Sequence, residues 1–192
     1  TIGQVSGFVY ILSYSRYAWG QFYPKTSFEF FLDGHLECFK HIGGLAHCHR
    51  YDNLKSVVLK HATEIEYNPQ FLDFARFYGF SIHACNPYKG NEKGRVERII
   101  RDIRTFLYHR STGKTPKDLL SQERLLRPPE HSYLPRRIIQ AVVSKTALVE
   151  FETNKYSAPS SCAAKAVEIS AYPEYIEIFS SGRKVAVHKR SF

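Results

Sequence analysis

The sequence predicts an α/β region followed by a separate all-β region. In the first part of the chain, aromatic and β-branched runs alternate with segments whose apolar residues recur at helical spacing. From residue 147 onward the pattern changes to short alternating strands separated by turn residues, and short strands at regular spacing favour a small barrel. Between these two parts lies a segment rich in proline, lysine and arginine, which is typical of a linker.

Residues that favour the start and the end of a helix delimit two helices of the α/β region. Ser27 is a suitable N-cap for a helix that ends at Gly43, and Asn68 opens a second helix that stops at Gly79. The other predicted elements are, in order, strands at residues 8–14, 17–22, 47–51 and 80–85, a regular helix over 96–107, a short helical stretch near 117–126, and strands at 147–152, 166–171, 175–180 and 185–188. We therefore predict an α/β core over residues 1–126, a basic proline-containing linker over 127–145 and a small β-barrel over 146–192.

The charge of the chain is concentrated in one third of it. The 192 residues carry a formal net charge of +9. Residues 1–85 hold 7 basic and 7 acidic residues, residues 86–145 hold 14 and 6, and residues 146–192 hold 6 and 5. A localised basic excess is typical of a protein that meets a phosphate backbone. A solvated basic helix without a ligand is the alternative.

Composition excludes several classes of protein. Hydrophobic residues make up 43% of the chain and aromatic residues 15%, enough to build a core, so the sequence argues against intrinsic disorder. No apolar run reaches the length of a membrane span, and the first residues do not resemble a signal peptide. The chain does not begin with methionine, from which we expect a fragment or a trimmed protein.

The cysteines and histidines favour a reducing compartment over a metal centre. The four cysteines are scattered without a CxxC pair, which fits a reducing cytoplasm and argues against a zinc ribbon. The run His47-Cys48-His49 resembles a ligand set, but alternation along a strand places Cys48 on the side opposite to the two histidines. Without a second ligand pair at zinc spacing, a metal role there is the less favoured interpretation.

Two acids stand at positions where chemistry could occur. Asp52 follows the predicted strand 47–51 at its carboxyl end, the edge at which open α/β sheets bind ligands. Glu97 lies near the start of the basic helix. Two carboxylates from a strand end and a helix suit magnesium, which takes oxygen ligands. The alternatives are that Asp52 caps a turn with Asn53 and that Glu97 pairs with Arg101 at i+4.

Five motifs in order resemble the IstA-type transposases of bacterial insertion sequences. They are Leu12-Ser13-Tyr14-Ser15-Arg16, Tyr51-Asp52-Asn53-Leu54-Lys55 followed by Val57-Val58, Asn86-Pro87-Tyr88 followed by Lys93-Gly94-Arg95-Val96-Glu97-Arg98, Asn154-Lys155-Tyr156-Ser157-Ala158-Pro159, and His188-Lys189-Arg190. These segments span nearly the whole chain.

The resemblance implies a fold, a metal site and a reaction. The expected fold is an α/β ribonuclease-H-like, integrase-type core followed by a small all-β barrel. The family's Asp-Asp-Glu triad holds two Mg²⁺ or Mn²⁺ ions, and Asp52 and Glu97 match its second and third acids. The first acid is expected on a strand before residues 8–14, yet no Asp or Glu precedes Glu29, so we expect the chain alone to be inactive. The implied reaction is metal-dependent phosphoryl transfer that cuts transposon ends and joins their 3′ hydroxyls to target DNA.

The resemblance also implies partners. They are double-stranded DNA of the transposon ends and target, an ATPase helper protein and further copies of the same chain, in the bacterial cytoplasm with the nucleoid and without a membrane. From charge and motif position, the residues expected to bind DNA are Asn53, Lys55, Lys89, Lys93, Arg95, Arg98, Arg101, Arg104, Arg136, Arg137, His188 and Arg190.

Two other functions remain open from the sequence. One is a DNA-binding or assembly module that lacks catalysis, since only two of three acids are visible. The other is a ribonuclease-H-like nuclease of the repair or resolvase kind, which the segment from Asn154 to Arg190 argues against.

Overall fold

The chain forms two compact units in a computed structural model that describes residues 5–52, 54–61, 65–85 and 115–192. The α/β unit comprises Phe8–Gln21 and Gly34–Tyr133. The β unit comprises Thr1–Gly7, Phe22–Asp33 and Leu134–Phe192. The predicted helix over 96–107 lies outside the described residues.

The elements alternate first between strands and helices and then become strands alone. They are β1 (Ser6–Ile11), β2 (Ala18–Tyr23), α1 (Phe28–Ile42), β3 (Cys48–Tyr51), β4 (Val58–His61), β5 (Ile65–Tyr67), α2 (Pro69–Tyr78), β6 (Ser81–Ala84), α3 (Pro116–Leu120), β7 (Arg137–Val142), β8 (Leu148–Phe151), β9 (Asn154–Ser157), a 3₁₀ turn (Ser160–Cys162), β10 (Ala166–Ala171), β11 (Tyr175–Ser180) and β12 (Arg183–Lys189).

The predicted limits of α1 and α2 are confirmed. In α1 the Ser27 carbonyl accepts the first helical bond from Phe31 N at 3.0 Å, and Gly43 follows the last turn with a φ of 72°. Asn68 caps α2 through a bond from Gln70 N to its side-chain oxygen at 3.0 Å, and Gly79 ends it in the left-handed region. The Ser27 hydroxyl itself makes no hydrogen bond within the described residues, so only its carbonyl starts α1.

Aromatic side chains fill the core of the α/β unit. Phe39 of α1 lies 6.3 Å from Phe74 and 5.3 Å from Tyr78 between ring centroids, and Phe71 and Phe80 complete the cluster. These rings lie where the helical spacing of apolar residues predicted a buried face. The helices thus form a rigid support for the short strands beside them.

The strands of the α/β unit form three pairs. β1 pairs with β2, β4 with β5, and β3 with β6. The last pair is parallel, with Tyr51 opposite Ala84, because α2 provides the crossover that parallel strands need. β4 and β5 were not predicted, since charged residues interrupt their alternation.

The β unit contains a four-stranded antiparallel sheet in the order β12-β11-β10-β7 and a β8–β9 hairpin. Its core is made by inward-facing residues, including Val149, Phe151, Val167, Ile169, Ile176 and Ile178. The strands predicted at residues 147–152, 166–171, 175–180 and 185–188 are confirmed as β8, β10, β11 and β12. Closure of these strands into a barrel stays a prediction.

One strand of this region was not predicted. The segment expected to be a linker contains β7, which pairs with β10 along its whole length. Its half-buried and exposed residues alternate from Arg137 to Val142, but flanking prolines and arginines hide that pattern in the sequence. β9 was also missed, because Asn154 and Pro159 indicated a turn. The predicted domain boundaries themselves stay a prediction.

Candidate active site and nucleic-acid interface

Asp52 lies at the carboxyl edge of the parallel β3–β6 pair. It is the first residue after β3 and its side chain is exposed. Cys85 N donates to Tyr51 O at 2.9 Å, so the two strands stay paired up to this edge. Directly after it, Leu54 N donates to Asp52 O at 2.5 Å, which turns the backbone sharply away. The structure therefore places an accessible carboxylate where parallel strands end, the position at which α/β sheets bind ligands.

Directly before Asp52, a buried cluster of two tyrosines and two histidines holds β3. The Tyr51 hydroxyl lies 2.9 Å from His35 Nε2 and 3.0 Å from His49 Nδ1. The other nitrogen of that imidazole, His49 Nε2, lies 2.9 Å from the Tyr10 hydroxyl. We call these four residues the hydroxyl–imidazole cluster. It links β1, α1 and β3 and fixes the residue that precedes Asp52.

Burial keeps His49 and the two tyrosines of this cluster uncharged near pH 7. Burial, with the nearby His35, lowers the pKa of His49 to about 3. Burial also raises the pKa of Tyr10 and Tyr51 above its ordinary value. Neither hydroxyl ionises and His49 stays unprotonated, so the bonds between His49 and the two tyrosine hydroxyls are neutral hydrogen bonds. The strand spacing had separated His49 from Cys48, and the structure shows that both ring nitrogens of His49 are already engaged.

Only part of the predicted site falls within the described residues. Besides Asp52, Lys55 is described, and it is exposed in the turn that follows. The remaining predicted members of this region lie outside the described residues: Asn53, Lys89, Lys93, Arg95, Glu97, Arg98, Arg101 and Arg104. The pairing of Asp52 with Glu97 stays a prediction. In the described ranges, no group of three or more His, Cys, Asp or Glu side chains is arranged to hold a metal ion.

In the β unit, five ionised side chains form a buried charged cluster. Arg137 Nη2 lies 2.7 Å from Glu152 Oε1, and Arg137 Nε lies 3.3 Å from Glu29 Oε2. Arg190 Nη2 pairs with Glu29 Oε1 and lies 3.2 Å from Glu152 Oε2, while Lys25 pairs with Glu152. The side chains of Glu29 and Arg190 are both 0% exposed. We call these five residues the charged cluster.

The charged cluster changes how Glu152 titrates. Burial raises the pKa of the Glu152 carboxyl, but its bonds from Lys25, Arg190 and Arg137 outweigh that effect and leave the pKa below its ordinary value. A carboxylate held in this way stays ionised near neutral pH. Glu152 is therefore a charged acceptor shared by three basic side chains.

The motifs at residues 154–159 and 188–190 lie close together and hold the C-terminal residues in place. Asn154 Nδ2 donates to Ser191 O at 3.0 Å, and Ser191 N donates to the Tyr156 hydroxyl at 3.1 Å. His188 Nε2 donates to Ser157 O at 2.7 Å. The β8–β9 hairpin and the residues after β12 are thus joined by side-chain bonds.

The predicted DNA-binding residues of the β unit have internal contacts. Arg136 is half-buried, with Nη1 donating to Ser170 Oγ at 3.5 Å, and Arg190 Nη1 donates to Tyr172 O at 2.9 Å. Arg137 and Arg190 belong to the charged cluster, and His188 to the motif contact. Their DNA binding stays a prediction, and the structure shows a second use for each side chain. Sequence reasoning missed Glu29, whose signal was a carboxylate within an aromatic run at the start of α1.

Comparison with known proteins connects this geometry to a family. Residues 128–192 match the family model described as the C-terminal domain of Mu transposase. A protein named transposase from Aminobacter aminovorans is 28% identical over 210 aligned positions, which cover 93% of this chain and 41% of that protein. The transposase for insertion sequence element IS232 of Bacillus thuringiensis subsp. berliner is 25% identical, covering 95% of this chain and 50% of that protein. The transposase for insertion sequences IS1326/IS1353 of Pseudomonas aeruginosa is 26% identical, covering 94% and 42%.

This chain is similar to the transposases of insertion sequences. It spans half or less of the length of these curated relatives. Asp52 lies in the α/β unit, and the matched region from Leu134 onward lies in the β unit. None of the described helices is long and apolar enough to cross a membrane.

Proposed function

We propose that this transposase chain contributes a ribonuclease-H-like, integrase-type core and a small C-terminal β-barrel to an enzyme that transfers phosphoryl groups on DNA. The full-length enzyme cuts the ends of an insertion sequence and joins their 3′ hydroxyls to target DNA. The observation that carries the proposal is the exposed carboxylate of Asp52 at the carboxyl edge of two parallel strands, in a chain whose relatives are transposases.

The residues of this edge fit a hard divalent ion. Asp52 offers an accessible carboxylate oxygen, the ligand type that Mg²⁺ and Mn²⁺ prefer, and Glu97 is the proposed second ligand in this chain. Bound ions of this kind lower the pKa of a water or hydroxyl nucleophile and stabilise a leaving oxygen. The chain's own part is to hold Asp52 in place through the hydroxyl–imidazole cluster and to position the DNA.

The proposed partners rest on the same proposed function. DNA is the substrate, and the excess of bases over acids in residues 86–145 supplies phosphate contacts. Further copies of the chain and an ATPase helper complete the reacting assembly on the bacterial nucleoid. Since no Asp or Glu precedes Glu29, the 192-residue chain alone lacks the first acid of the triad and is inactive.

The test is an end-cleavage and strand-transfer assay in a full-length protein that contains this chain. Asp52→Asn and Glu97→Gln should each reduce both steps to background with Mg²⁺ or Mn²⁺, while binding to transposon-end DNA is retained. Asp73→Asn, at an exposed position of α2, is the matched control and should leave both steps unchanged. Full activity of Asp52→Asn would instead favour a DNA-binding or assembly module without catalysis.

A further inference from the structure

The two ends of the β unit differ in charge. The antiparallel strands place the end of β7, the start of β10, the end of β11 and the start of β12 at one end of the sheet. Three loops meet there, namely residues 143–147, 158–165 and 180–184, and we call them the loop end. The charged cluster lies at the opposite end, where β7 begins and β12 finishes.

Backbone hydrogen bonds bind two of these loops to each other. Val143 N donates to Lys165 O at 3.0 Å, and Ala164 N donates to Val143 O at 3.0 Å. Ala158 N donates to Ala147 O at 2.9 Å. The β11–β12 turn belongs to the neighbouring strands of the same sheet. The loop end is thus one continuous surface with a fixed backbone.

The composition of the loop end is that of an anion-binding surface. Its three loops contain no Asp or Glu. The bases are Lys145, Lys165, Arg183 and Lys184, and all four are exposed. The hydroxyl groups are those of Ser144, Thr146, Ser160, Ser161, Ser180 and Ser181. Cationic and hydroxyl side chains are the groups that most often contact phosphate oxygens in nucleic acids.

Most of this positive charge has no counterpart in the protein. Lys184 pairs with Glu177 at 3.0 Å. For Lys145, Lys165 and Arg183, no ion pair occurs with any other residue that the structure describes. At the opposite end each arginine of the charged cluster faces a carboxylate. The β unit therefore pairs its arginines with carboxylates at one end and exposes bases without an ion pair at the other.

The loop backbone is held in restrictive conformations. Ala147, Ala164 and Ser181 have φ values of 59°, 58° and 50°, a region that non-glycine residues rarely adopt. Such residues persist where the surrounding structure determines them, and they cluster at binding sites. The loop bases therefore start from a pre-organised backbone, which lowers the entropy lost on binding.

We propose that the loop end binds the phosphate backbone of DNA without reading its sequence; this inference rests on the proposed function. Three strand spacings separate β7 from β12, about 14 Å, which corresponds to about four base-pair steps of a duplex. None of the exposed large apolar side chains of the described residues lies in the three loops, so the surface favours a phosphate backbone over a lipid bilayer.

The test is a salt titration of duplex binding with the whole 192-residue chain and a fluorescently labelled duplex of arbitrary sequence. Lys145→Ala/Lys165→Ala should flatten the slope of log affinity against log salt by about 1.8, since each phosphate contact contributes about 0.9. Lys155→Ala/Lys189→Ala is the matched control, because it removes two exposed lysines of the same unit outside the loop end. Its slope should equal that of the unaltered chain.

The outcomes of this titration distinguish the loop-end proposal from the proposed function on which it rests. Equal slopes for the two double variants, with strong salt-dependent binding by the unaltered chain, would overturn the loop end as the phosphate site and leave the transposase proposal standing. Absence of salt-dependent binding by the unaltered chain would overturn DNA as the partner of this segment. If the loop-end variant loses binding to vesicles of anionic phospholipid but keeps the full slope on DNA, the surface binds lipid and the inference is wrong.

Discussion

The two units bury polar groups in opposite ways. The charged cluster of the β unit buries ionised side chains, with Glu29 and Arg190 fully enclosed. The hydroxyl–imidazole cluster of the α/β unit buries hydroxyl and imidazole groups joined by hydrogen bonds of 2.9 to 3.0 Å. Both clusters take one member from α1, Glu29 in its first turn and His35 later in the helix. Helix α1 therefore contributes to two kinds of buried polar cluster. We expect mutations in the two clusters to destabilise the protein to different extents.

Aromatic rings surround both clusters, so apolar packing is not what separates them. The Arg190 guanidinium lies 5.1 Å from the Phe30 ring centroid and 4.9 Å from that of Phe192. The His49 ring stacks on Phe80 with centroids 4.0 Å apart. What differs is the cost of losing one partner. An uncompensated buried charge is far less favourable than an unpaired buried hydroxyl.

Removing the buried cation should have the largest effect. Arg190→Met leaves Glu29 enclosed with Arg137 as its remaining cation, and loss of one partner of a buried pair costs about 3–5 kcal/mol. The free energy of unfolding, measured by urea denaturation, should fall by that amount. The flexible methionine retains most of the packing against the rings.

A double variant tests whether an uncompensated charge causes the loss of stability in Arg190→Met. Glu29→Met/Arg190→Met removes both charges and should be more stable than Arg190→Met alone, since apolar replacement of a whole buried pair is often tolerated. A double-mutant cycle then gives a large coupling energy. Additive losses would mean that Arg190 stabilises the β unit by packing alone.

Lowering the pH should destabilise the protein through His49 of the hydroxyl–imidazole cluster. His49 has a pKa lowered from 6.5 in the unfolded chain to about 3 when folded, so the unfolded state binds the extra proton first as the pH falls. Stability is then complete above about pH 6.5 and declines toward pH 3, with a slope approaching about 1.4 kcal/mol per pH unit from this one group. Urea denaturation at a series of pH values measures the slope.

Two variants sharpen this prediction. His49→Phe should lose the slope between pH 6.5 and 3 and also cost about 1–3 kcal/mol at neutral pH, because the Tyr10 hydroxyl loses its imidazole partner. His83→Phe, at an exposed position on the neighbouring strand β6, is the control and should keep the slope. The depressed pKa of Glu152 acts in a lower range, because its stabilisation is present above the ordinary carboxyl pKa of 4.5 and is lost as the pH falls below it. An identical slope for His49→Phe and the unaltered chain would contradict the assignment.

Local signals predicted the elements well because those signals act within a few residues. Asn68 and Gly79 set the limits of α2 through bonds to adjacent backbone groups. Asp52 follows a strand that its own residues define, so its place at a sheet edge could be predicted. β7 could not, since its partners on β10 lie 24 to 34 positions away, with Val142 opposite Ala166 and Arg137 opposite Ala171.

The two buried clusters could not be predicted either, because their members are also distant in the sequence. Glu29 and Arg190 are far apart in the chain, and their pairing depends on packing that only the folded unit brings about. The arginines were therefore interpreted as free DNA-binding groups, on charge and motif alone. His49 was recognised as unlike Cys48, but its tyrosine partners lie on two strands, Tyr10 on β1 and Tyr51 on β3. Glu97 and the basic helix lie outside the described residues, so their roles stay predictions.

A glycine between the two cluster members of α1 should be sensitive to size. A Cβ at Gly34 would lie 2.6 Å from Phe8 Cγ, too close for the ring to remain in place. Gly34→Ala should therefore destabilise the protein by about 1–3 kcal/mol, the usual cost of overpacking, despite the higher helix propensity of alanine. Thermal unfolding measures the loss, and adding Phe8→Leu should recover part of it. A more stable Gly34→Ala would show that Phe8 moves freely.

The smallest effect should come from an ion pair that is exposed on the same helix. Lys40 Nζ lies 2.5 Å from Glu37 Oε1 at i,i+3 spacing, and the two side chains are 65% and 39% exposed. Water screens such a pair and side-chain entropy opposes it, so Lys40→Ala should change the free energy of unfolding by no more than about 0.5 kcal/mol. Urea denaturation beside Arg190→Met compares an exposed and a buried cation whose acidic partners both lie on α1. A loss of several kcal/mol for Lys40→Ala would contradict the view that burial, rather than pairing, makes the charged cluster sensitive.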